Sequence, residues 1–254
     1  MPLIHPTTRQ VNAKIVYYGA CEAGKTTNLR QLYQRLATKD KGEFRTMPVF
    51  GDQTASFYFF PIDVGKVQDY HLRMHLYTVE GEMSDHEAAH RFVLTGTDGV
   101  VFVVDSQEQA MERNLEQLQL LQMSLAEQGK ESPEVPIVFQ YNKRDLPAIF
   151  SIEELNRYLN PTGLACLEAS AARGVGVVET LARISKLVLQ QIKRSLETLA
   201  PGWDEDPVAR FCSKEVMQPT MIGEVRNRRE ASAVEVEKEE KSSRYRDVFG
   251  RSWM

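Results

Sequence analysis

The segment Gly19-Ala20-Cys21-Glu22-Ala23-Gly24-Lys25-Thr26 places two glycines, a lysine and a hydroxyl at the spacing G-x-x-x-x-G-K-[ST]. That spacing suits phosphate binding. Backbone N–H groups from Gly19 through Cys21, Glu22, Ala23 and Gly24, continued by Thr27 at the start of a helix, can cradle a nucleotide β-phosphate. Lys25 supplies a cation to the β/γ oxygens, and Thr26 Oγ can ligate Mg²⁺. The plain alternative is an ordinary glycine turn between a strand and a helix.

A second group lies far along the chain. Asn142-Lys143-Arg144-Asp145 follows an apolar run, Ile137-Val138-Phe139. A carboxylate at Asp145 can accept hydrogen bonds from guanine N1–H and the 2-amino group, and adenine presents no such donor pair. Asn142 can bridge to the phosphate loop, and the Lys143 stem can cover the base. Glu168-Ala169-Ser170-Ala171 follows the next apolar run. Backbone N–H groups at Ser170 and Ala171 can meet guanine O6. N-K-x-D alone is commonly just a polar turn; in order behind a phosphate loop it selects guanine.

One motif competes. His86-Glu87-Ala88-Ala89-His90 spells H-E-x-x-H, whose histidines would share a helix face and hold zinc with Glu87 as base. No third histidine or Met-turn pattern follows; two solvent-facing histidines on a surface helix are the bland reading.

These groups need elements to hold them. Lys14 to Tyr18 reads as a buried strand entering the phosphate loop, and Lys25 to about Leu36 as a helix. A loop containing Pro48 and Gly51 is expected next, then a bulky strand around Phe57-Tyr58-Phe59-Phe60. Leu72, Met74 and Leu76 alternate with Arg73, His75 and Tyr77, the period of a strand with one buried face. Val100 to Val104 is apolar throughout, as a parallel strand buried on both faces would be. Ala165-Cys166-Leu167 is a weaker run. Helical patterns run through Met111, Leu115, Leu118 and Leu125, and through Val177, Leu181, Ile184 and Val188. Ser151 and Glu154 form a capping-box signature ahead of Leu155 and Leu159. Alternating units of this kind predict an α/β fold, a mainly parallel sheet with helices on both faces, whose ligands bind at the carboxyl ends of the strands.

Among 254 residues the net charge is −4, so nothing electrostatic favours nucleic acid or an anionic membrane as partner. Three scattered cysteines make neither a disulfide framework nor a zinc ribbon and fit a reducing, cytoplasmic compartment. No apolar run approaches the roughly 20 residues of a membrane span. Past Pro201 the apolar periodicity fades, and 224–246 is rich in Glu, Lys and Arg. We read 1–199 as one domain and 200–254 as a charged, partly disordered tail with aromatic anchors at Trp203, Phe211, Phe249 and Trp253.

The chain resembles Ras-like small GTPases, and in particular the bacterial MglA family of polarity and gliding-motility GTPases. The resemblance spans about residues 8–196. It rests on Lys14-Ile15-Val16-Tyr17-Tyr18-Gly19, Gly24-Lys25-Thr26-Thr27-Asn28-Leu29, His75-Leu76-Tyr77-Thr78-Val79, Asp98-Gly99-Val100-Val101-Phe102-Val103 and Gln140-Tyr141-Asn142-Lys143-Arg144-Asp145-Leu146-Pro147. Thr78 stands where most small GTPases carry the aspartate of D-x-x-G. The resemblance implies a three-layer P-loop NTPase of Ras-like G-domain type and GTP/GDP binding with Mg²⁺. It implies switch regions near 46–56 and 78–92, with His86 to His90 on the second switch helix. It also implies a roadblock-type activator or polarity proteins as partners, and a polar location in a bacterial cytoplasm.

The departures bear on catalysis. Where the family's first switch reads Asp-Arg-Thr, this chain reads Asp52-Gln53-Thr54. Thr54 can still ligate Mg²⁺ or sense the γ-phosphate, but Gln53 cannot neutralise charge on the transferring phosphoryl group, a role worth roughly 10³–10⁵ in rate. The family's Pro-Gly-Gln becomes Glu80-Gly81-Glu82. Gly81 keeps the backbone N–H that senses the γ-phosphate; ionised Glu82 accepts but cannot donate to the attacking water. Glu22 adds a carboxylate inside the phosphate loop. The leading reading is a GTP-binding switch with slow hydrolysis acting through partners. The alternatives are a conventional small GTPase completed in trans, a nucleotide-locked scaffold, and a zinc hydrolase.

Overall fold

The computed structural model describes residues 2–5, 7–49, 52–67, 69–80, 87–129 and 135–197; within these, 48–49, 52–55, 67, 80, 87–90 and 195–197 are described by backbone. Among the described residues eight strands form one sheet: β1 (Leu3–His5), β2 (Gln10–Tyr18), β3 (Arg45–Val49), β4 (Asp52–Val67), β5 (Tyr70–Glu80), β6 (Gly99–Asp105), β7 (Ile137–Asn142) and β8 (Cys166–Glu168). Five α-helices of the same residues alternate with them: α1 (Lys25–Arg35), α2 (Glu87–Leu94), α3 (Met111–Glu127), α4 (Ile152–Leu159) and α5 (Val177–Glu197). The strand order is β3-β4-β5-β2-β6-β7-β8, with β1 paired to β2. From β5 to β8 the pairings are parallel, and β3-β4-β5 is an antiparallel meander. This is the expected three-layer P-loop architecture.

The central strands explain the layers. Every residue of β6 and β7 is buried, so successive side chains feed opposite cores. Val101, Val103 and Val138 pack against Leu29 and Leu32 of α1 and against Val177, Leu181, Ile184 and Val188 of α5. Val100, Phe102, Val104 and Phe139 face the other way, against Leu118, Leu121 and Leu125 of α3 and Leu155 and Leu159 of α4. On β5 the period of two is realised, with Leu72, Met74 and Leu76 buried. The capping box is complete: the Glu154 N–H donates to Ser151 Oγ and the Ser151 N–H to Glu154 Oε2.

Two expectations need correction. The loop expected through Pro48 is instead β3, antiparallel to β4, so most of the first expected switch region is strand. Pro48 is compatible because β3 is an edge strand and the register shifts between Pro48 and Val49, where a missing N–H is tolerated. On α3, Leu115 is 41% exposed rather than part of the buried stripe, which runs through Leu118, Leu121 and Leu125. β1, too short to show a pattern, was not foreseen. The expected tail, 200–254, lies outside the described residues, as does any boundary at 199.

Candidate functional site

The parallel strands end on a common edge, and the predicted residues gather there. β2 runs into the phosphate loop at Gly19, whose φ is +144° and where an added Cβ would sit 2.2 Å from the Val103 carbonyl oxygen. Gly24 has φ +98°, and a Cβ there would meet Asn142 Nδ2 at 2.3 Å. Only glycine fits either position, which accounts for the two glycines of the motif. Gly24 is the N-cap of α1 and offers no side-chain cap, and the first turn holds no acidic residue. The helix therefore presents uncapped N–H groups and its positive dipole end to the loop, the arrangement that holds a phosphate.

Lys25 is largely buried, with Nζ donating to the Gly19 and Ala20 carbonyls at 3.0 and 2.7 Å. Its ammonium thus lies along the cradle where phosphate oxygens would be neutralised. Thr26 is also largely buried, whereas Glu22 and Thr27 are exposed and Cys21 is half-buried. Glu22 sits at φ +60°, on the outer bend of the loop.

Asn142 ties the two halves of the site together. Its Nδ2 donates to the Ala23 carbonyl at 2.7 Å, and its Oδ1 accepts from the Ala171 N–H at 2.8 Å. The predicted bridge from N-K-x-D to the phosphate loop is present, and it reaches the segment after β8 as well. Both N–H groups expected at guanine O6 are engaged within the protein: that of Ser170 donates to the Val175 carbonyl and that of Ala171 to Asn142 Oδ1. Asp145 stands beside Ser170 and Arg173: Ser170 first, then its own backbone N–H, and last the guanidinium hold its carboxyl below the usual carboxylate range. Arg173 Nε lies 3.4 Å from Asp145 Oδ2. The edge thus holds an ionised, largely shielded carboxylate, which can only accept hydrogen bonds.

Sequence reasoning missed the residues that brace this edge. Lys143, at φ +62°, places Nζ 2.8 Å from Asp105 Oδ2. Asp105 ends β6 directly opposite Asn142, and its backbone is clamped by Asn114 through two hydrogen bonds. Beneath lies a buried polar network in which Gln140 Nε2 donates to Asn28 Oδ1 at 2.9 Å and to Thr180 Oγ1 at 3.0 Å. It joins α1, β7 and α5 under the phosphate loop. A glutamine inside the otherwise apolar run 137–141 was the available signal, since a polar group buried on both faces must be paired.

The remaining candidates are only partly in view. Gln53 and Thr54 fall at the start of β4 and are described by backbone. Gly81, Glu82 and His86 lie outside the described residues, as do the side chains of Glu87 and His90, so the H-E-x-x-H arrangement lies outside them too. Among the described residues no group of three His, Cys, Asp or Glu could hold a metal. The donor set at the nucleotide edge is instead hydroxylic, which suits the hard ion Mg²⁺ when phosphate oxygens complete its shell. Thr78 adds a buried Oγ1 with no hydrogen-bond partner among the described residues, at the carboxyl end of β5, where a water of a hydrated cation would satisfy it.

Comparison with known proteins agrees with this geometry. The family model of the ADP-ribosylation factor family matches residues 3–194. The mutual gliding-motility protein MglA of Myxococcus xanthus (strain DK1622) is 43% identical over 194 residues, covering 76% of this chain and 99% of that protein. With the phosphate loop, its lysine and the asparagine bridge brought to one sheet edge, the chain belongs to the ADP-ribosylation factor family of Ras-like small GTPases and is MglA-like within it.

Proposed function

We propose that this protein is a Mg²⁺–GTP-dependent switch that works by binding partners and turns GTP over slowly. The observation that carries the nucleotide reading is the double hydrogen bond of Asn142, which locks the phosphate loop to the guanine-recognition segment. In this reading Lys25 neutralises the β/γ oxygens, Thr26 and Thr54 hold the Mg²⁺, the Gly81 N–H senses the γ-phosphate and Asp145 selects guanine. Bound Mg²⁺ would screen the phosphate charge. Slow turnover follows from two residues. Gln53 brings no positive charge to the transition state, and ionised Glu82 brings negative charge and no donor. Likeness to a gliding-motility protein supports a role in bacterial polarity or motility, through a roadblock-type activator or polarity proteins, in the cytoplasm and at a cell pole.

Single-turnover phosphate release tests the reading. The parent should be slow, and Gln53→Arg with Glu82→Gln together should accelerate it by more than the product of the single changes, since the two groups serve one transition state. A parent rate on the order of 1 s⁻¹ or faster, the range of an activated small GTPase, would refute slow turnover. Nucleotide content of the purified protein is the companion measurement. GTP supports a slow switch, and GDP supports a conventional GTPase.

A further inference from the structure

The segment after β8 brings a cation to the Asp145 carboxylate. Arg173 Nε stands 3.4 Å from Asp145 Oδ2, and the Asp145 side chain is 15% exposed where that of Arg173 is 67% exposed. The carboxylate is thus reached through a narrow opening, with the guanidinium on its solvent side. The backbone beneath Arg173 is held in place. It ends the turn Ala171–Arg173, in which the Arg173 N–H donates to the Ser170 carbonyl at 3.1 Å. Gly174 follows at φ +69°, so close to α1 that an added Cβ would lie 2.0 Å from Arg35 Nη2 and 2.9 Å from Gln31 Oε1. The loop carrying Asp145 is tied to the same segment, because the Arg144 N–H donates to the Ala169 carbonyl at 3.1 Å. The exposed Arg173 side chain can therefore change rotamer while the turn under it stays put.

The chemistry of the acceptor sets up a competition. Guanine presents N1–H and its 2-amino group side by side, so both oxygens of one carboxylate must accept from it. Oδ2 cannot serve the base fully while Arg173 lies against it in so narrow an opening. An ion pair this long and exposed is weak and breaks at small cost. Hypoxanthine lacks the 2-amino group and offers N1–H alone, which Oδ1 can accept with the arginine still in place.

We propose that Arg173 competes with guanine for the Asp145 carboxylate, and so tunes both the affinity for guanine nucleotides and the discrimination against bases without a 2-amino group. This inference rests on the reading of Asp145 as the guanine acceptor. The base displaces the guanidinium on entry, and the guanidinium takes its place as the base leaves.

The ratio of GDP to IDP affinity, measured by titration calorimetry, tests this. The two ligands carry the same diphosphate, so the phosphate contribution cancels in the ratio. Arg173→Ala should strengthen GDP binding about two- to fivefold, the range of an exposed ion pair, and IDP binding less. Arg173→Met keeps an apolar stem without the charge and should act likewise. In the parent, about 1 M NaCl confines screened interactions to roughly 3 Å and should raise the ratio toward that of the variants, whose own ratio stays flat. A ratio unmoved by Arg173→Ala, or flat with salt in the parent, would overturn the proposal. A parent-like ratio in Arg173→Met would assign the effect to packing of the stem and overturn it too. The wider reading fails separately. A parent that binds GDP no better than ADP removes the guanine acceptor and this proposal with it, whereas selectivity for GDP over ADP with an unmoved ratio removes the role of Arg173 alone.

Discussion

Asn142 and Asp145 stand three positions apart yet do separable work. Asn142 is 2% exposed and satisfies the Ala23 carbonyl and the Ala171 N–H. Asn142→Ala leaves buried backbone groups unpaired, which costs about 1–3 kcal/mol. It should lower stability without nucleotide and weaken GDP binding as well. Asp145 satisfies no buried backbone group of another segment; its carboxylate meets the Arg173 guanidinium at 3.4 Å, so Asp145→Asn should cost less urea stability than Asn142→Ala. It should move preference from guanine to xanthine, whose 2-oxo group accepts where guanine's 2-amino group donates. Urea melts and titrations with fluorescent GDP and XDP separate the two. A parent-like melt for Asn142→Ala, or unchanged base preference for Asp145→Asn, would contradict this division. The spacing of N-K-x-D made both residues legible in the sequence. Asp105, which pins Lys143, was not legible, because its role depends on β6 and β7 lying side by side, and pairing is invisible in linear spacing.

At the scale of elements, what was legible followed burial. β6 and β7 declare themselves by unbroken apolar runs, β5 by alternation and α4 by its cap, because each must hide one or two faces. β3 hid behind Pro48. As an edge strand it needs neither a full ladder nor two apolar faces, so residues that usually mark loops are tolerated there. Leu115 misled in the other direction: it keeps helical spacing from Met111 and Leu118 but points away from the core. α5 carries the clearest test of the layered core. Leu181 is fully buried against the face of the sheet that also receives α1. Leu181→Ala should cost about 2–5 kcal/mol, the range for such cavities. It should lower the urea midpoint with little change in slope. A midpoint unmoved by this change would mean that α5 is not part of the cooperative core.

For the whole molecule, the question is how much of the chain the switch needs. Among the described residues both core clusters end by Ile192, the last of the α5 stripe begun at Val177. The family match ends at 194, and the aligned residues make up 99% of the Myxococcus xanthus protein, so a chain of that length suffices for an MglA-like protein. Phosphate loop, asparagine bridge and the Asp145 carboxylate all lie between Gly19 and Arg173. A chain ending at Leu199 should therefore stay folded and bind GDP with the affinity of the full chain. Its urea midpoint should also stay near the full chain's, because both core clusters lie within that length. Precipitation of the shortened chain, or collapse of its GDP affinity, would make residues beyond 199 part of the nucleotide-binding domain itself.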